Sequence, residues 1–148
     1  MPGILLKQKY NIMAKLTPRQ KNWIEGTGAH IGTASKKGIP TVIVVDKATV
    51  ENDSTIKFNL SSKQVEQVLQ NIIENPRASL GPGGIGSIRA AYQFKGKASI
   101  TGNELRVEVE EIYSTKPGPE AGLRLDNLDY NDILKFEASR WADDGPPR

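Results

Sequence analysis

The sequence has no cysteine and only one histidine, His30. Without thiols it can form no disulfide, no thiolate metal site and no cysteine nucleophile. A lone imidazole also removes most of the case for a zinc cluster or a histidine-based catalytic triad. Long apolar runs are missing: no segment approaches the roughly 20 residues needed to span a bilayer. Ile4-Leu5-Leu6, cut off by Lys7, is too short for a secretory core. Charge of one sign is scarce as well. Twenty basic and 17 acidic residues are interspersed, leaving a net +3 with no basic block. Such a surface attracts phosphate-bearing ligands weakly and does not require nucleic acid. The cytoplasm is the expected compartment, and no membrane association is expected.

Glycine (14) and proline (9) are plentiful, which suits many short strands and tight turns better than a helical bundle. A chain of 148 residues fits one domain with a buried core. Residues 1–16 read as an N-terminal extension, with Met13-Ala14 as an alternative start. Residues 17–142 read as the domain and 143–148 as a tail.

Thr17-Pro18-Arg19-Gln20 announces a first helix, with Thr17 as cap, proline at the first helical position and Gln20 completing a capping box. Its end is expected near Gly26 or Gly28. Ala29–Ser35 and Ile39–Asp46 flank Lys36-Lys37-Gly38 as a β-hairpin. The β-branched run Val42-Ile43-Val44-Val45 is apolar at every position and reads as a central strand covered on both faces. Thr55–Leu60 is a third strand.

Val65, Val68, Leu69, Ile72 and Ile73 then mark one buried helical face, capped by Ser61 or Ser62 and stopped by Asn75-Pro76. Arg77–Leu80 is a short strand. Arg89–Ile100 and Glu104–Tyr113 are long ones, joined at Thr101-Gly102-Asn103. Residues 133–141 fit strand or helix. These elements predict a mostly β, α+β architecture: a barrel of about six antiparallel strands with two or more flanking helices.

Four spots could carry chemistry. At Phe58-Asn59-Leu60-Ser61-Ser62-Lys63 a strand gives way to a helix whose first turn holds a lysine. Free N–H groups at a helix start favour an anion. A lysine there opposes the helix dipole unless an anion is bound. Ser61 or Ser62 as a simple cap and Lys63 as a solvated side chain is the alternative reading of the same residues.

Gly81-Pro82-Gly83-Gly84-Ile85-Gly86 satisfies a dinucleotide fingerprint in spacing. The next residues alternate and show no helical face, so the match is read as spurious and the loop as a flexible connection. His30, near the start of a strand, fits either a proton-transfer role or a hydrogen-bonded strand-edge position. Arg89, Lys95 and Lys97 with Tyr92 could meet phosphate or stack bases, which leaves a nucleic-acid-binding barrel as a third possibility.

The order of four short motifs resembles the FMN-binding split barrels of the pyridoxamine 5'-phosphate oxidase family, in particular its small FMN-binding proteins. They are Ala29–Ser35 with Gly38-x-Pro40 and Thr41–Val45, then Ser62-Lys63, then Asn75-Pro76-Arg77, then Gly96-Lys97-Ala98. The resemblance covers roughly residues 18–113. It implies a split-barrel homodimer holding FMN at the subunit interface, and an oxidoreductase or electron carrier.

It places the phosphate near Ser61, Ser62 and Lys63. It places the ring against Val42, Ile43, Val44, Phe58 and Asn59, with hydrogen bonds from Thr33 and Ser35. Related barrels use a deazaflavin or haem, for which His30 would be the available axial histidine. The family's C-terminal Arg-x-His substrate motif has no counterpart here, since the chain ends around Ala138-Ser139-Arg140-Trp141. Val44-Val45 offers no side-chain donor to the ring, so contacts there would be made by the backbone.

Overall fold

The computed structural model describes residues 13–140. Helix α1 (Pro18–Thr27) opens with the expected capping box. Thr17 Oγ1 accepts from the Gln20 N–H, and Gln20 Oε1 accepts from the Thr17 N–H. It buries Trp23 and Ile24 and ends at Gly28, whose φ of 68° is one that L side chains avoid. A Cβ at Gly28 would lie 2.1 Å from the Val45 carbonyl oxygen, so the chain can pass this close only with glycine.

Seven strands follow: β1 (Ala29–Ala34), β2 (Pro40–Val45), β3 (Thr49–Val50), β4 (Thr55–Asn59), β5 (Arg77–Pro82), β6 (Tyr92–Thr101) and β7 (Glu104–Ser114). Helix α2 (Ser62–Glu74) lies between β4 and β5, one helical turn α3 (Gly86–Arg89) between β5 and β6, and α4 (Tyr130–Arg140) at the end. The strands form one antiparallel sheet in the order β2-β1-β5-β6-β7-β4-β3, curled into a half-barrel. The expected α+β split barrel is observed. Thr49–Val50 adds a short seventh strand paired to β4.

Ile31, Ile43, Phe58, Leu80, Phe94, Leu105, Val107 and Ile112 fill the concave side together with Trp23 and Val68. Burying a side chain of this size contributes about 1.5–3 kcal/mol. Alternation on β7 runs 105, 107, 109 and then jumps to 112, because a bulge opposite Lys95 and Gly96 leaves Glu110 as the extra residue. Gly96 fits this crossing for a steric reason: a Cβ there would fall 1.9 Å from the Glu108 carbonyl oxygen. The carboxylate of the bulged Glu110 pairs with Arg77 on β5.

Several sequence expectations are corrected. The valine-rich run is not a central strand: β2 is a sheet edge, with Ile43 and Val45 buried and Val42 and Val44 exposed at 65% and 58%. β-branched residues suit an extended backbone whether or not the second face is covered. The run therefore specified the strand but not its place in the sheet.

In α2 only Val68 and Ile72 are fully buried, while Leu69 and Ile73 turn to the surface. The last element is a helix, and β6 starts at Tyr92 rather than Arg89. The glycine-rich stretch ends in a four-residue helical turn. It is anchored at Gly83 and Gly86, where an added Cβ would lie 3.1 Å from the Thr27 carbonyl oxygen and 2.7 Å from Pro82, while Gly84 and Ile85 between them are exposed.

Ala14 and Leu16, assigned to the N-terminal extension, are buried. The Ala14 N–H donates to the Val109 carbonyl and the Leu16 N–H to the Asp53 carbonyl. The 143–148 tail lies outside the described residues.

Candidate functional site

The split in the barrel runs between the two edges of the sheet. Val45, Asp46 and Lys47 at the end of β2, Thr49 of β3, Lys57–Asn59 of β4 and Glu104 of β7 enclose a hollow of about 300 Å³. Phe58 turns inward into the core, while Asn59 is exposed at the rim. Lys57 is held between Glu51 (3.8 Å) and Glu104 (3.9 Å).

Asn59 leads through Leu60 into the start of α2, where Ser61 is the cap. Ser61 Oγ accepts from the Gln64 N–H (3.2 Å), and Gln64 Oε1 accepts from the Ser61 N–H (3.0 Å). The N–H groups of Ser62 and Lys63 have no helical acceptor by construction, and both side chains are exposed. Lys63 has no carboxylate partner among the described residues. Two free donors, a hydroxyl and an ammonium thus converge at the positive end of a 13-residue helix.

Gln64 Nε2 donates to the Val44 carbonyl at 2.8 Å, joining this helix end to the edge strand. A carbonyl that points away from β1 marks Val44, and by alternation Val42, as the residues whose backbone groups face outward. Their side chains add an apolar strip on the convex face.

That strip borders a second, shallower hollow of about 390 Å³, lined by His30, Gly32, Val42, Ser79, Gln93 and Thr115 among others. Gln93 Nε2 donates to Ser79 Oγ there at 2.8 Å. His30 is exposed on this surface.

The structure thus brings together Val42, Val44, Asn59, Ser61, Ser62 and Lys63 around the edge of β2 and the start of α2. It withdraws four other expected contacts. Ile43 and Phe58 are core side chains, and their backbone groups face β1 and β7 within the ladders, so neither is presented to a ligand. Thr33 is buried and its hydroxyl accepts from Asn71 Nδ2 at 3.0 Å, while Ser35 Oγ accepts from the Ile39 N–H within the hairpin turn.

Sequence reading missed Gln64 beyond its capping role. It also missed Asp46, Lys47, Lys57 and Glu104, because a cleft between two sheet edges leaves no local pattern. The suggested nucleic-acid face divides. Tyr92 is buried, Arg89 lies in the α3 turn, and Lys95 and Lys97 stand opposite Glu111 and Glu108 across the β6–β7 ladder. No group of three or more histidine or acidic side chains suited to a metal occurs among the described residues, and no described helix is long and apolar enough to cross a membrane.

A buried polar cluster sits away from these hollows. Tyr92 Oη and Thr17 Oγ1 both donate to Glu137 Oε2 of α4, at 2.5 and 2.9 Å, and Arg19 donates to Tyr92 Oη at 2.9 Å. Burial pushes the Glu137 carboxyl above its ordinary range, against the opposing hydrogen bonds from Tyr92 and Thr17. The same burial, reinforced by Glu137, raises the Tyr92 phenol. These groups fasten α4 to α1 and β6.

No protein-family model matches the chain. It is 26% identical over 132 residues to an uncharacterized protein of Methanocaldococcus jannaschii, spanning 74% of this chain and 87% of that one. Among solved structures it is similar to HupZ of Group A Streptococcus, at 20% identity and TM-score 0.56 over 72% of this chain and 99% of that one. A pyridoxamine 5'-phosphate oxidase candidate from Lactobacillus delbrueckii gives 15% identity and TM-score 0.56 over 70% and 100%. An FMN-binding protein from Syntrophomonas wolfei gives 10% and 0.52 over 75% and 90%. At these identities the likeness is one of fold. The chain has the split-barrel fold of the pyridoxamine 5'-phosphate oxidase-like proteins.

Proposed function

We propose that this protein is an FMN-binding flavoprotein that works as a homodimer in small-molecule oxidoreduction or electron transfer, with the cytoplasm as its expected compartment. One juxtaposition carries this reading. An anion-accepting helix start, with Ser62 and Lys63, is joined to an exposed apolar strand edge, with Val42 and Val44. A ligand with a phosphate at one end and a flat apolar heterocycle at the other matches both halves.

The outward N–H groups of Val42 and Val44 and the outward Val42 carbonyl suit the ring's polar edge without any side-chain donor, the Val44 carbonyl being held by Gln64. FMN supplies two-electron and one-electron redox chemistry when bound, and the protein's part is position and electrostatics. The FMN-binding neighbour of the same fold is consistent with this assignment.

The size of the hollow supports the dimer part of this reading. A hollow of about 300 Å³ lies at the lower limit of ligand pockets, roughly 300–1,000 Å³, so one protomer leaves much of a nucleotide uncovered. A second copy over the exposed Val42 and Val44 would cover the apolar strip that serves as the ring platform.

The test is the visible spectrum of purified protein mixed with FMN and freed of excess by gel filtration. Flavin bands travelling with the protein are expected. A colourless protein contradicts the reading, and a Soret band in the protein as isolated would replace FMN by haem.

A further inference from the structure

Gln64 sits at the third helical position of α2, where its ordinary task is to complete a capping box. Its backbone N–H and Oε1 carry out that task entirely, through Ser61. The remaining donor, Nε2, reaches out of the helix to the Val44 carbonyl on the open edge of β2 at 2.8 Å. A glutamate would cap as well but could not make that bond.

One side chain thereby joins the element that would hold a phosphate to the element that would hold a ring. A further bond in the same direction runs between these layers, from Asn71 to the buried Thr33 on β1. It fixes the C-terminal half of the helix, so Gln64 governs its first turn.

We infer that Gln64 is a positioning residue that sets the separation between phosphate site and ring platform, and so selects a ligand carrying both groups at that spacing over one carrying either alone. This rests on the FMN reading above. Two subsites held at a fixed distance let the second group bind intramolecularly, at high effective concentration. If the tie is cut, each subsite survives but the advantage of linking them shrinks.

Gln64→Glu isolates the tie because it keeps the capping box. Dissociation constants are measured for FMN, for riboflavin, which lacks the phosphate, and for inorganic phosphate as a competitor of FMN. The added negative charge weakens FMN and phosphate alike, so it cancels from the linkage ratio, the FMN affinity divided by the product of the other two. That ratio is expected to fall about tenfold, which is ~1.4 kcal/mol and within the range of one lost hydrogen bond.

The neutral Gln64→Met removes the same donor together with the capping Oε1 and should show a fall at least as large. An unchanged ratio in both variants overturns the positioning role while leaving flavin binding intact. Failure of the native chain to bind either flavin overturns the FMN reading and this inference together.

Discussion

At the scale of single residues, the account separates groups that build the barrel from groups offered to a ligand. Gly96 belongs to the first kind. Gly96→Ala should destabilise the fold by about 2 kcal/mol or more, because the new methyl meets the Glu108 carbonyl in a ladder that cannot part locally. Urea unfolding would show it as a lower midpoint.

Lys63 belongs to the second kind. Lys63→Ala should leave unfolding within about 0.5 kcal/mol of native, weaken FMN about tenfold and leave riboflavin unchanged. The loss should diminish as salt is raised, since the lysine is exposed.

Glu137 adds a pH signature. Its carboxyl is raised in the folded state above the ordinary value of 4.5, so the native state holds this proton more tightly than the unfolded chain does. Its contribution to stability therefore grows as pH falls from neutral through the folded pKa and levels off below about 4.5. In Glu137→Gln that part of the slope should vanish, read as the difference between the two unfolding free energies across a pH series.

At the scale of elements, the edge strand β2 is the unusual feature. Its outer side chains contribute little to the core, yet they are valines where edges are commonly charged. Val42→Lys combined with Val44→Lys should keep the secondary structure and sediment as a monomer, against the dimer proposed for the native chain. A double variant that remains dimeric would move the interface elsewhere.

The same strand marks what could be read without coordinates. Both capping boxes, the Asn75-Pro76 stop, the β1–β2 hairpin and the β6–β7 hairpin depend on residues close in sequence, and all were legible. The position of β2 in the sheet depends on which strands lie beside it, and four consecutive β-branched residues look alike at an edge or a centre. The candidate site was half legible for the same reason. The helix start at Ser61–Lys63 is local chemistry. The pairing of that start with Val44 comes only from the way α2 packs on the far edge of the sheet. Thr33 looked like a ligand contact because its hydroxyl's partner, Asn71, stands 38 residues away.

At the scale of the whole molecule, the curl leaves the split between β2 and the β3–β4 edge open, with α2 standing at its mouth and α4 fastened behind by Glu137. The mouth is thereby kept apart from the groups that hold the C-terminal helix. The central claim is that FMN binds along the start of α2 and the edge of β2. The most direct test is an amide nuclear magnetic resonance titration with FMN, using riboflavin as the comparison. The account predicts that FMN shifts the amides of Ser62 and Lys63 together with Val42 and Val44, while riboflavin shifts the valines and leaves Ser62 and Lys63 in place. Shifts confined to other parts of the barrel, or no shifts at saturating FMN, would contradict it.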